Sequence, residues 1–402
     1  MPDKILIVDD NAVNRKLLVH ILQREGYDLM EAADGEEAVD LALREIPDLI
    51  LLDIMMPKKD GYTVCRELRC DAQTGTIPII FLSAKAATED KIKGLDLGGS
   101  DYVTKPFDSE EVMARVRVQL KVQHLTKALL KANEALLSKQ QRLDDDLKAA
   151  SEIQKSLLPK GRLDIEGIDV AWRFMPCHTI GGDLLNIFRL DEDHWAIYML
   201  DVSGHGVPSA MVAVSVSQML RPQTGYLLKR AVHPSPFYNI VPPADVLSAL
   251  DQEYPIERFD KFFTISYLVL NTRHGLLRYS SGAHPPPVLL HKDGTLELLE
   301  KGGTIIGMGG IIPFEEGDQK LRFGDRLFLY TDGIVEFQDK DGAFYGEDRF
   351  HEEIKKSKEE PISRTINRII DSMIDFGKGA EPQDDISLLG LEFKGISQGH
   401  ET

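Results

Sequence analysis

The chain has 402 residues, of which 43% are hydrophobic and 28% charged, and its formal net charge is −18. This length predicts two or three domains, because single cores stop growing at about 250–300 residues. No apolar run approaches the roughly 20 residues that a membrane helix needs, and an acidic surface disfavours nucleic acid and anionic lipid as partners. The three cysteines lack a CxxC pairing and the N-terminus lacks an export signal, so we expect a cytoplasmic protein without disulfides.

The first 120 residues alternate short apolar runs with amphipathic stretches, in the order KILIV, NRKLLVHILQREG, PDLILLDI, TIPIIFLSA and SDYVTKP. Continuous apolar strands between helices predict a doubly wound α/β domain, with a parallel five-stranded sheet covered on both faces. Functional groups gather at the carboxyl ends of the strands in such sheets. We therefore expect the polar residues that end these strands to meet at one edge: Asp9, Asp10, Asp53, Ser83 and Lys105.

Three carboxylates with a lysine and a hydroxyl group suit a divalent cation and a phosphoryl group. The carboxylates would supply oxygen ligands to Mg²⁺, which prefers a few carboxylates plus water and phosphate oxygens. Lys105 would balance the charge of a phosphoryl group, and its bond to Pro106 is a candidate for a cis peptide. Ser83 could donate a hydrogen bond to a phosphoryl oxygen.

These residues give segment 1–122 a strong resemblance to response-regulator receiver domains. Asp53 stands in LLDIMMP, 30 residues before Ser83 and 52 before Lys105, and Tyr102 occupies the place of the switch aromatic residue. The resemblance implies that Asp53 accepts phosphate from a histidine kinase and that the backbone carbonyl of Met55 binds Mg²⁺. It also implies that Ser83 and Tyr102 shift inward upon phosphorylation. Helix-capping turns would account for one or two of these residues, but not for all of them together.

Segment 123–158 is predicted to be a coiled-coil linker helix, since no glycine or proline occurs between Val118 and Pro159. Two heptad positions define a seam, which is charged only at Lys139 and Asp146. We expect the seam to form a parallel homodimer whose register can change; the alternative is a helix packed on its own domain. One position holds Val122, Leu129, Leu136, Leu143, Ala150 and Leu157, and the other holds Val118, Leu125, Ala132, Lys139, Asp146 and Ile153.

Segment 159–396 is dominated by short strand-like runs separated by glycine-rich turns, with helical stretches near 208–222, 244–253 and 361–376. This pattern predicts an α+β domain, a β-sandwich flanked by helices. The basic, turn-rich stretch at 227–243 is interpreted as a loop or flap. The strand-like runs are IDVAWRF, HWAIYMLDV, FFTISYLVL, LLRYSS, PPVLL and DRLFLYTD.

A second acidic set lies in this segment. Asp201 follows the apolar run 195–200 and opens DVSGHG, and the other members are Asp183 in IGGD, Asp332 in LYTDG, and Asp384 and Asp385 in QDDIS. Any single one is explained by a turn. Four carboxylates at strand ends of one sandwich would suffice for a two-metal centre with one bridging aspartate, which stabilises in-line attack on a phosphate ester.

The motifs IGGD, DVSGHGVPSA, SGAHPPP, LYTDGIVE and QDDIS resemble the PPM family of metal-dependent serine/threonine phosphatases, in its bacterial branch that controls sporulation and stress sigma factors. The likeness covers roughly residues 150–395 and includes SEIQKSLLP. The resemblance implies that two Mn²⁺ or Mg²⁺ ions bind. It further implies that Asp201 bridges the two ions and that the backbone carbonyl of Val202 completes the coordination of one of them. Asp332 and Asp384 would hold the other ion, with Asp385 as the alternative to Asp384. Asp183 would order metal-bound water.

Three residues in these motifs need separate interpretation. Asn186 stands where many relatives have a second aspartate, which puts an outer ligand or a third metal in doubt. His205 could protonate a leaving group, but a loop-stabilising role is favoured. His284 is interpreted as a structural turn residue.

The sequence thus predicts a response regulator that is a phosphorylation-controlled, metal-dependent protein phosphatase. Its implied substrate is a phosphoserine or phosphothreonine protein of the anti-anti-sigma type. The main alternative is a phospho-dependent binding scaffold with an inactive phosphatase-like domain, supported by Asn186 alone. A DNA-binding regulator is disfavoured by the acidic C-terminal segment and by the lack of a helix-turn-helix pattern.

Overall fold

The computed structural model describes residues 2–84, 94–161, 163–221, 227–231 and 238–395. The chain divides into two compact units, residues 1–141 and 142–402. The division falls inside one long helix, so the domain limits of 1–122, 123–158 and 159–396 stay predictions. Among the described residues, no helix combines the length and the apolar character needed to cross a bilayer.

The first unit contains the predicted parallel five-stranded sheet, in the strand order β2-β1-β3-β4-β5. Helix α1 is Ala12–Gln23, α2 is Gly35–Glu45, α3 is Gly61–Cys70 and α4 is Ser109–Lys155. The fold class predicted for this unit is confirmed. The strands are β1 (Lys4–Val8), β2 (Asp28–Ala32), β3 (Leu49–Asp53), β4 (Ile79–Ser83) and β5 (Asp101–Thr104).

Both faces of this sheet are covered, which explains the continuous apolar strands. One core packs α2 and α3 against alternate residues of β1, β3 and β4, and the other packs α1 and the start of α4 against the remaining ones. The side chains of Asn11, Asp34 and Asp60 accept backbone N–H groups at the first turns of α1, α2 and α3. The carboxyl ends of the strands are therefore held at one edge.

The long helix α4 begins at Ser109, nine residues before Val118, where the sequence pattern placed its start. Its first turns bury Val112, Val116 and Leu120 in the core of the first unit. Every described residue from 124 to 146 is then exposed. Burial returns at Ser151 and Gln154. The predicted seam is thus an apolar row facing solvent in the single chain, with Leu125, Leu129, Leu136 and Leu143 each more than 60% exposed.

The second unit is the predicted β-sandwich with flanking helices. A six-stranded sheet runs in the order β15-β12-β11-β8-β7, with β16 added beside β12, and a five-stranded sheet runs β14-β13-β17-β18-β6. The largest core joins residues of both sheets, and a second core packs the outer face of the five-stranded sheet against helices.

The elements of the second unit follow one another closely along the chain. Its helices are α5 (Val207–Met219), α6 (Pro243–Glu253), α7 (Ile256–Phe259), α8 (Asp332–Val335), α9 (Glu347–Lys356) and α10 (Ile362–Gly377). Its strands are β6 (Ile168–Met175), β7 (Leu184–Arg189), β8 (His194–Val202), β9 (Lys229–Ala231), β10 (Tyr238–Ile240), β11 (Phe263–Asn271), β12 (Leu276–Gly282), β13 (Val288–Leu290), β14 (Leu296–Leu298), β15 (Gly302–Gly303), β16 (Gly317–Lys320), β17 (Arg326–Tyr330) and β18 (Ile386–Phe393).

Within the stretch expected to be a loop or flap, 227–243, the two short strands β9 and β10 pair as an antiparallel ribbon. Residues 232–237 lie outside the described residues. The expectation of a loop is therefore wrong for β9 and β10. Each strand has only three residues, which is too short for a period-two pattern to distinguish a strand from a loop.

Candidate functional site

The first candidate site lies at the carboxyl edge of the parallel sheet. One oxygen from each of Asp9, Asp10 and Asp53 can be chosen so that all lie within 4.8 Å of one another. The Nζ atom of Lys105 lies 2.7 Å from an Asp53 oxygen and 2.8 Å from an Asp9 oxygen. The Lys105–Pro106 peptide bond is cis, as the sequence suggested. The edge thus brings together the predicted carboxylates and their counter-charge.

Burial governs the electrostatics of this site. It raises the pKa of Asp53, although the hydrogen bond and charge of Lys105 act in the opposite direction. Burial also disfavours the charged form of Lys105, but its contacts with Asp53 and Asp9 outweigh this and raise the pKa of the ammonium. A phosphoryl group or a cation would therefore enter a site whose fixed charges are only partly balanced.

The other predicted receiver residues surround this pair. Ser83 is buried at the end of β4, and its backbone carbonyl accepts the N–H of Lys105 at 2.8 Å. Tyr102 is half-buried in β5, with the guanidinium of Arg115 5.2 Å from its ring centroid. The Met55 N–H donates to Asp53 at 3.4 Å. The roles assigned to these residues stay predictions.

Sequence reasoning missed Asn14, which holds the buried carboxylate of Asp9. Its side-chain amide lies 3.2 Å from both Asp9 oxygens, and the N–H of Asn11 donates to one of them at 2.9 Å. Asp10, by contrast, is exposed. An asparagine in a first helical turn carries no signal of its own, because caps use the same residue type.

The second candidate site joins the two sheets of the sandwich. Asp183, which directly precedes β7 and is 1% exposed, accepts hydrogen bonds from Thr331 Oγ1 at 2.9 Å and Ser387 Oγ at 2.7 Å. Thr331 follows β17 and Ser387 lies at the start of β18. Two hydroxyl groups of the five-stranded sheet thus fix one carboxylate at the edge of the six-stranded sheet.

Asp201, near the end of β8, is crowded by other carboxylates. Burial raises its pKa to about 7, and the charges of Asp332, then Asp384 and Asp385, act in the same direction, whereas a hydrogen bond with Asp183 opposes them. Burial and then the charges of Asp384 and Glu336 likewise raise the pKa of Asp332. Carboxylates that destabilise one another's charged forms make a site that a cation would stabilise.

The structure distinguishes the neighbours Asp384 and Asp385. Asp385 is 3% exposed, and its oxygens accept the backbone N–H groups of Cys177 at 2.9 Å and Gly182 at 2.6 Å. Asp384 is exposed, with one oxygen accepting the N–H of Asp385 at 2.8 Å. The oxygens of Asp385 are engaged in holding the loop, so the geometry favours Asp384 as the ligand. That assignment stays a prediction.

Close backbone packing explains two of the glycines beside these aspartates. A Cβ atom on Gly181 would collide with the carboxylate of Asp385, and one on Gly333 would collide with its backbone carbonyl. The glycines of IGGD and TDG therefore let three chain segments approach closely enough to share one site.

The oxygen donors suit Mg²⁺ or Mn²⁺, which prefer carboxylate and carbonyl ligands. In the described part of the chain, only the first site brings three such groups within 4.8 Å of one another. The carboxylates around Asp201 are spaced more widely.

Comparison with known protein families agrees with this division. The model of the response regulator receiver domain matches residues 5–117, and the model of stage II sporulation protein E (SpoIIE) matches residues 191–394, half of the chain. The chain belongs to the SpoIIE family. It joins a receiver domain to a SpoIIE-type phosphatase domain of the PPM class.

Individual relatives resemble one part of the chain or the other. The receiver part is 48% identical over 118 residues to the DNA-binding dual master transcriptional regulator RpaA of Synechocystis sp., covering 29% of this chain and 49% of that protein. It is 50% identical over 119 residues to the probable transcriptional regulator ycf27 of Guillardia theta, covering 30% of this chain and 46% of that protein. The chain thus spans about half the length of the curated relatives it matches.

Among solved structures, the SiaA-PP2C domain of Pseudomonas aeruginosa aligns with 64% of this chain and 99% of its own length, with 20% identity and a TM-score of 0.53. At this identity the likeness shows the fold of the sandwich. It agrees with the sheet order and flanking helices described above.

Asn186 of the SpoIIE-type domain has a contact that the sequence did not reveal. Its side-chain amide donates to the backbone carbonyl of Leu157 at 2.9 Å, just past the end of α4. The asparagine therefore holds the segment that enters the domain.

Gln154, in the last turn of α4, is the most informative residue that sequence reasoning missed. It is 3% exposed, its amide donates to the carbonyl of Gly181 at 2.8 Å, and its oxygen accepts the Gly181 N–H at 3.2 Å. The linker helix thus contacts the IGGD loop that carries Asp183. The quoted motif SEIQKSLLP contained this glutamine, but the pattern alone gave it no partner.

The two histidines of interest have different surroundings. His205 is exposed and its ring stacks on that of His178, with centroids 4.6 Å apart and planes within 2°. His284 is 5% exposed. The sequence-based interpretation of His284 as a turn residue therefore omitted its burial.

The pH dependence of stability follows from Asp201 in metal-free protein. Its pKa is about 7 in the folded chain, against about 3.9 when unfolded, so the folded state binds this proton more tightly. The resulting stabilisation is complete below about pH 4 and is lost as pH rises through about 7. In EDTA, we expect Asp201→Asn to become increasingly more stable than the native protein between pH 5 and pH 8.

Melting temperatures followed by circular dichroism measure this difference. Asp293→Asn is the matched control, because a backbone hydrogen bond from Thr295 lowers the pKa of exposed Asp293 and leaves it ionised in both states above pH 5. A difference for Asp201→Asn that stays constant across this pH range would contradict the expectation.

Proposed function

We propose that this protein is a metal-dependent protein serine/threonine phosphatase whose activity depends on the phosphorylation of Asp53. The observation that carries the proposal is the burial of Asp201 among carboxylates from both sheets: burial first, and then the charges of Asp332, Asp384 and Asp385, raise its pKa to about 7. Carboxylates held so close together destabilise the folded state by repulsion, and bound cations would remove that repulsion. The family membership supports the same reaction class.

The residues of the site have different proposed roles. In this proposal, the carboxylates of Asp201, Asp332 and Asp384 and the backbone carbonyl of Val202 would hold the two cations. Asp183, fixed by Thr331 and Ser387, would orient water. Two bound Mn²⁺ or Mg²⁺ ions would activate water and neutralise the charge of a phosphate ester during in-line displacement.

The proposed substrate is a phosphoserine or phosphothreonine protein of the anti-anti-sigma type. It rests on the resemblance of the IGGD, DVSGHG and QDDIS motifs to the bacterial branch of the PPM family. The alternative of an inactive binding scaffold rests on Asn186 alone, whose amide donates to the carbonyl of Leu157, and the carboxylates around Asp201 favour the enzyme over it.

Removal of Asp201 tests the enzyme. With excess Mn²⁺ we expect Asp201→Asn to hydrolyse p-nitrophenyl phosphate and phosphoserine protein about 100-fold more slowly or worse, since even the partners of metal ligands cost about 10–100-fold when removed. Asp293→Asn, which makes the same change in an exposed Asp-Gly turn outside the site, should keep the native rate. Equal initial rates for Asp201→Asn and the native protein would rule out the proposed reaction.

The receiver domain supplies the proposed control. A receiver requires a phosphodonor, and we propose a histidine kinase that transfers phosphate to Asp53, with Mg²⁺ held by Asp9, Asp10 and the Met55 carbonyl. Lys105 already contacts Asp9 and Asp53. Phosphoryl transfer would convert the Asp53 carboxylate into an acyl phosphate, whose phosphoryl oxygens would compete with Asp9 for the ammonium and so rearrange this edge of the sheet.

A continuous helix connects this control to the catalytic loop. Helix α4 starts in the receiver core with Val112 and ends with Gln154 hydrogen-bonded to Gly181. A shift or rotation of the helix at its end would alter the loop that carries Asp183. A population shift requires that phosphorylation stabilise one helix arrangement more than another.

Beryllium fluoride, a phosphoryl mimic, tests this control. We expect it to raise or lower the native hydrolysis rate several-fold and to leave Asp53→Ala unaffected. Gln154→Ala should lose most of the response, because it removes the contact between α4 and the IGGD loop. Rates with and without beryllium fluoride that are equal in the native protein would contradict the proposal, as would a full response in Gln154→Ala.

The exposed apolar row of α4 supports a homodimer. A solvated helix with so many exposed leucines gains stability by burying them against a second copy. We expect the double variant Leu129→Glu/Leu136→Glu to sediment as a monomer while the native protein sediments as a dimer. Glu134→Lys, on the opposite helix face, should remain dimeric. Analytical ultracentrifugation measures both, and a dimeric double variant would contradict the proposed seam.

A further inference from the structure

His284 is a buried imidazole between the two sheets. It follows β12 in the motif SGAHPPP, is 5% exposed, and is preceded by Ala283, whose φ of 51° lies in the left-handed region. A non-glycine residue in that region is held there by its surroundings. The backbone is therefore constrained to direct His284 inward.

One side of the imidazole contacts the strand next to Asp201. The Nδ1 atom lies 2.8 Å from Thr264 Oγ1. Thr264 is directly opposite Asp201 in the antiparallel pair of β8 and β11. Side chains of such cross-strand pairs share one face of the sheet, about 4.5–5.5 Å apart at Cβ. Thr264 is thus an intermediary between His284 and the central carboxylate.

The other side of the imidazole faces the five-stranded sheet. Its Nε2 atom is buried and lacks a hydrogen-bond partner of good geometry within the described residues. The backbone of Tyr330, the last residue of β17, is close enough to favour the charged imidazole electrostatically. Tyr330 lies two residues before Asp332. His284 therefore lies between the strand ends that carry Asp201 and Asp332.

The imidazole is neutral, which suits this location. Burial lowers the pKa of His284 to about 3, and the Tyr330 backbone opposes this only in part. If Thr264 donates to Nδ1, the proton of the ring is on Nε2, toward Tyr330. A neutral side chain can join the two strand ends without the positive charge that would repel cations from the nearby carboxylates.

We infer that His284 is a positioning residue that sets the separation of Asp201 and Asp332 by joining Thr264 in one sheet to Tyr330 in the other. The inference rests on the proposed metal-dependent hydrolysis. Residues that orient metal ligands typically change metal affinity or activity about 10–100-fold when removed. His284 acts through Thr264 and a backbone group, so the lower end of this range applies.

The test uses the full chain in an Asp10→Ala/Asp53→Ala background, so that Mn²⁺ binding at the receiver does not contribute. His284→Asn and Thr264→Val each remove one end of the connection with little change in size. We expect each to weaken Mn²⁺ binding, measured by titration calorimetry, about tenfold. The Mn²⁺ concentration for half-maximal hydrolysis of p-nitrophenyl phosphate should rise equally, with kcat recovered at saturating Mn²⁺.

The double variant and a control separate positioning from general structural damage. His284→Asn/Thr264→Val should bind Mn²⁺ as the single variants do, because both remove the same connection. His351→Asn is the matched control, since the Nε2 atom of His351 is also buried without a partner, but on α9. Unchanged Mn²⁺ affinity in His284→Asn, additive effects in the double variant, or equal weakening in His351→Asn would each overturn the inference.

The design also separates this inference from the proposed function. If the unsubstituted chain binds Mn²⁺ but hydrolyses nothing, the proposed function fails, and the calorimetric comparison still decides the role of His284. If hydrolysis proceeds and His284→Asn binds Mn²⁺ normally, the inference alone fails. Absence of Mn²⁺ binding in the Asp10→Ala/Asp53→Ala background overturns both.

Discussion

The structure of the second unit depends on holding several carboxylates together where their charges repel. The pKa values of Asp183, Asp201 and Asp332 are all raised. In each case burial is the largest cause, and repulsion by neighbouring carboxylates is the next. Without cations, the folded chain avoids this repulsion by keeping protons on part of the set near neutral pH. The receiver solves the same problem differently, because Lys105 places an ammonium between Asp9 and Asp53.

Not all of these carboxylates are equally available to a ligand. The oxygens of Asp385 accept hydrogen bonds from backbone N–H groups, and one oxygen of Asp183 accepts hydrogen bonds from two hydroxyl groups. Such bonds fix the loops at the ends of both sheets and favour charged carboxylates. Asp201, Asp332 and Asp384 are the carboxylates that we propose as cation ligands. The hydrogen bonds of Asp183 and Asp385 thus hold the loops that carry the proposed ligands, and Gly181 and Gly333 allow these loops to meet.

The sequence predicted the first site well because one topological rule suffices there. Strands of a parallel sheet end at one edge, so Asp9, Asp53 and Lys105 must meet once the strands are recognised. No such rule applies to the antiparallel sandwich, where strand ends alternate between two edges. Asp183 and Asp332 were connected by motif resemblance, and the hydroxyl groups of Thr331 and Ser387 that donate to Asp183 were missed. The choice between Asp384 and Asp385 required side-chain burial, which periodicity does not give.

Helix α4 is a second case in which the sequence pattern did not give the tertiary contacts, and here the contacts concern the proposed control of the phosphatase domain. The helix extends beyond the predicted linker segment, 123–158, because the turns that bury Val112 and Val116 belong to the receiver core and have a wider apolar face than the seam. Beyond them the side chains of His124 and Lys127 contact Asp3 and Asp48 of the first unit, and Leu129 and Leu136 remain exposed before burial returns at Ser151 and Gln154. An amphipathic helix gains most of its stability from the packing of its apolar face. Whatever covers that row therefore determines how the helix is held, and through Gln154 it determines how the IGGD loop is held.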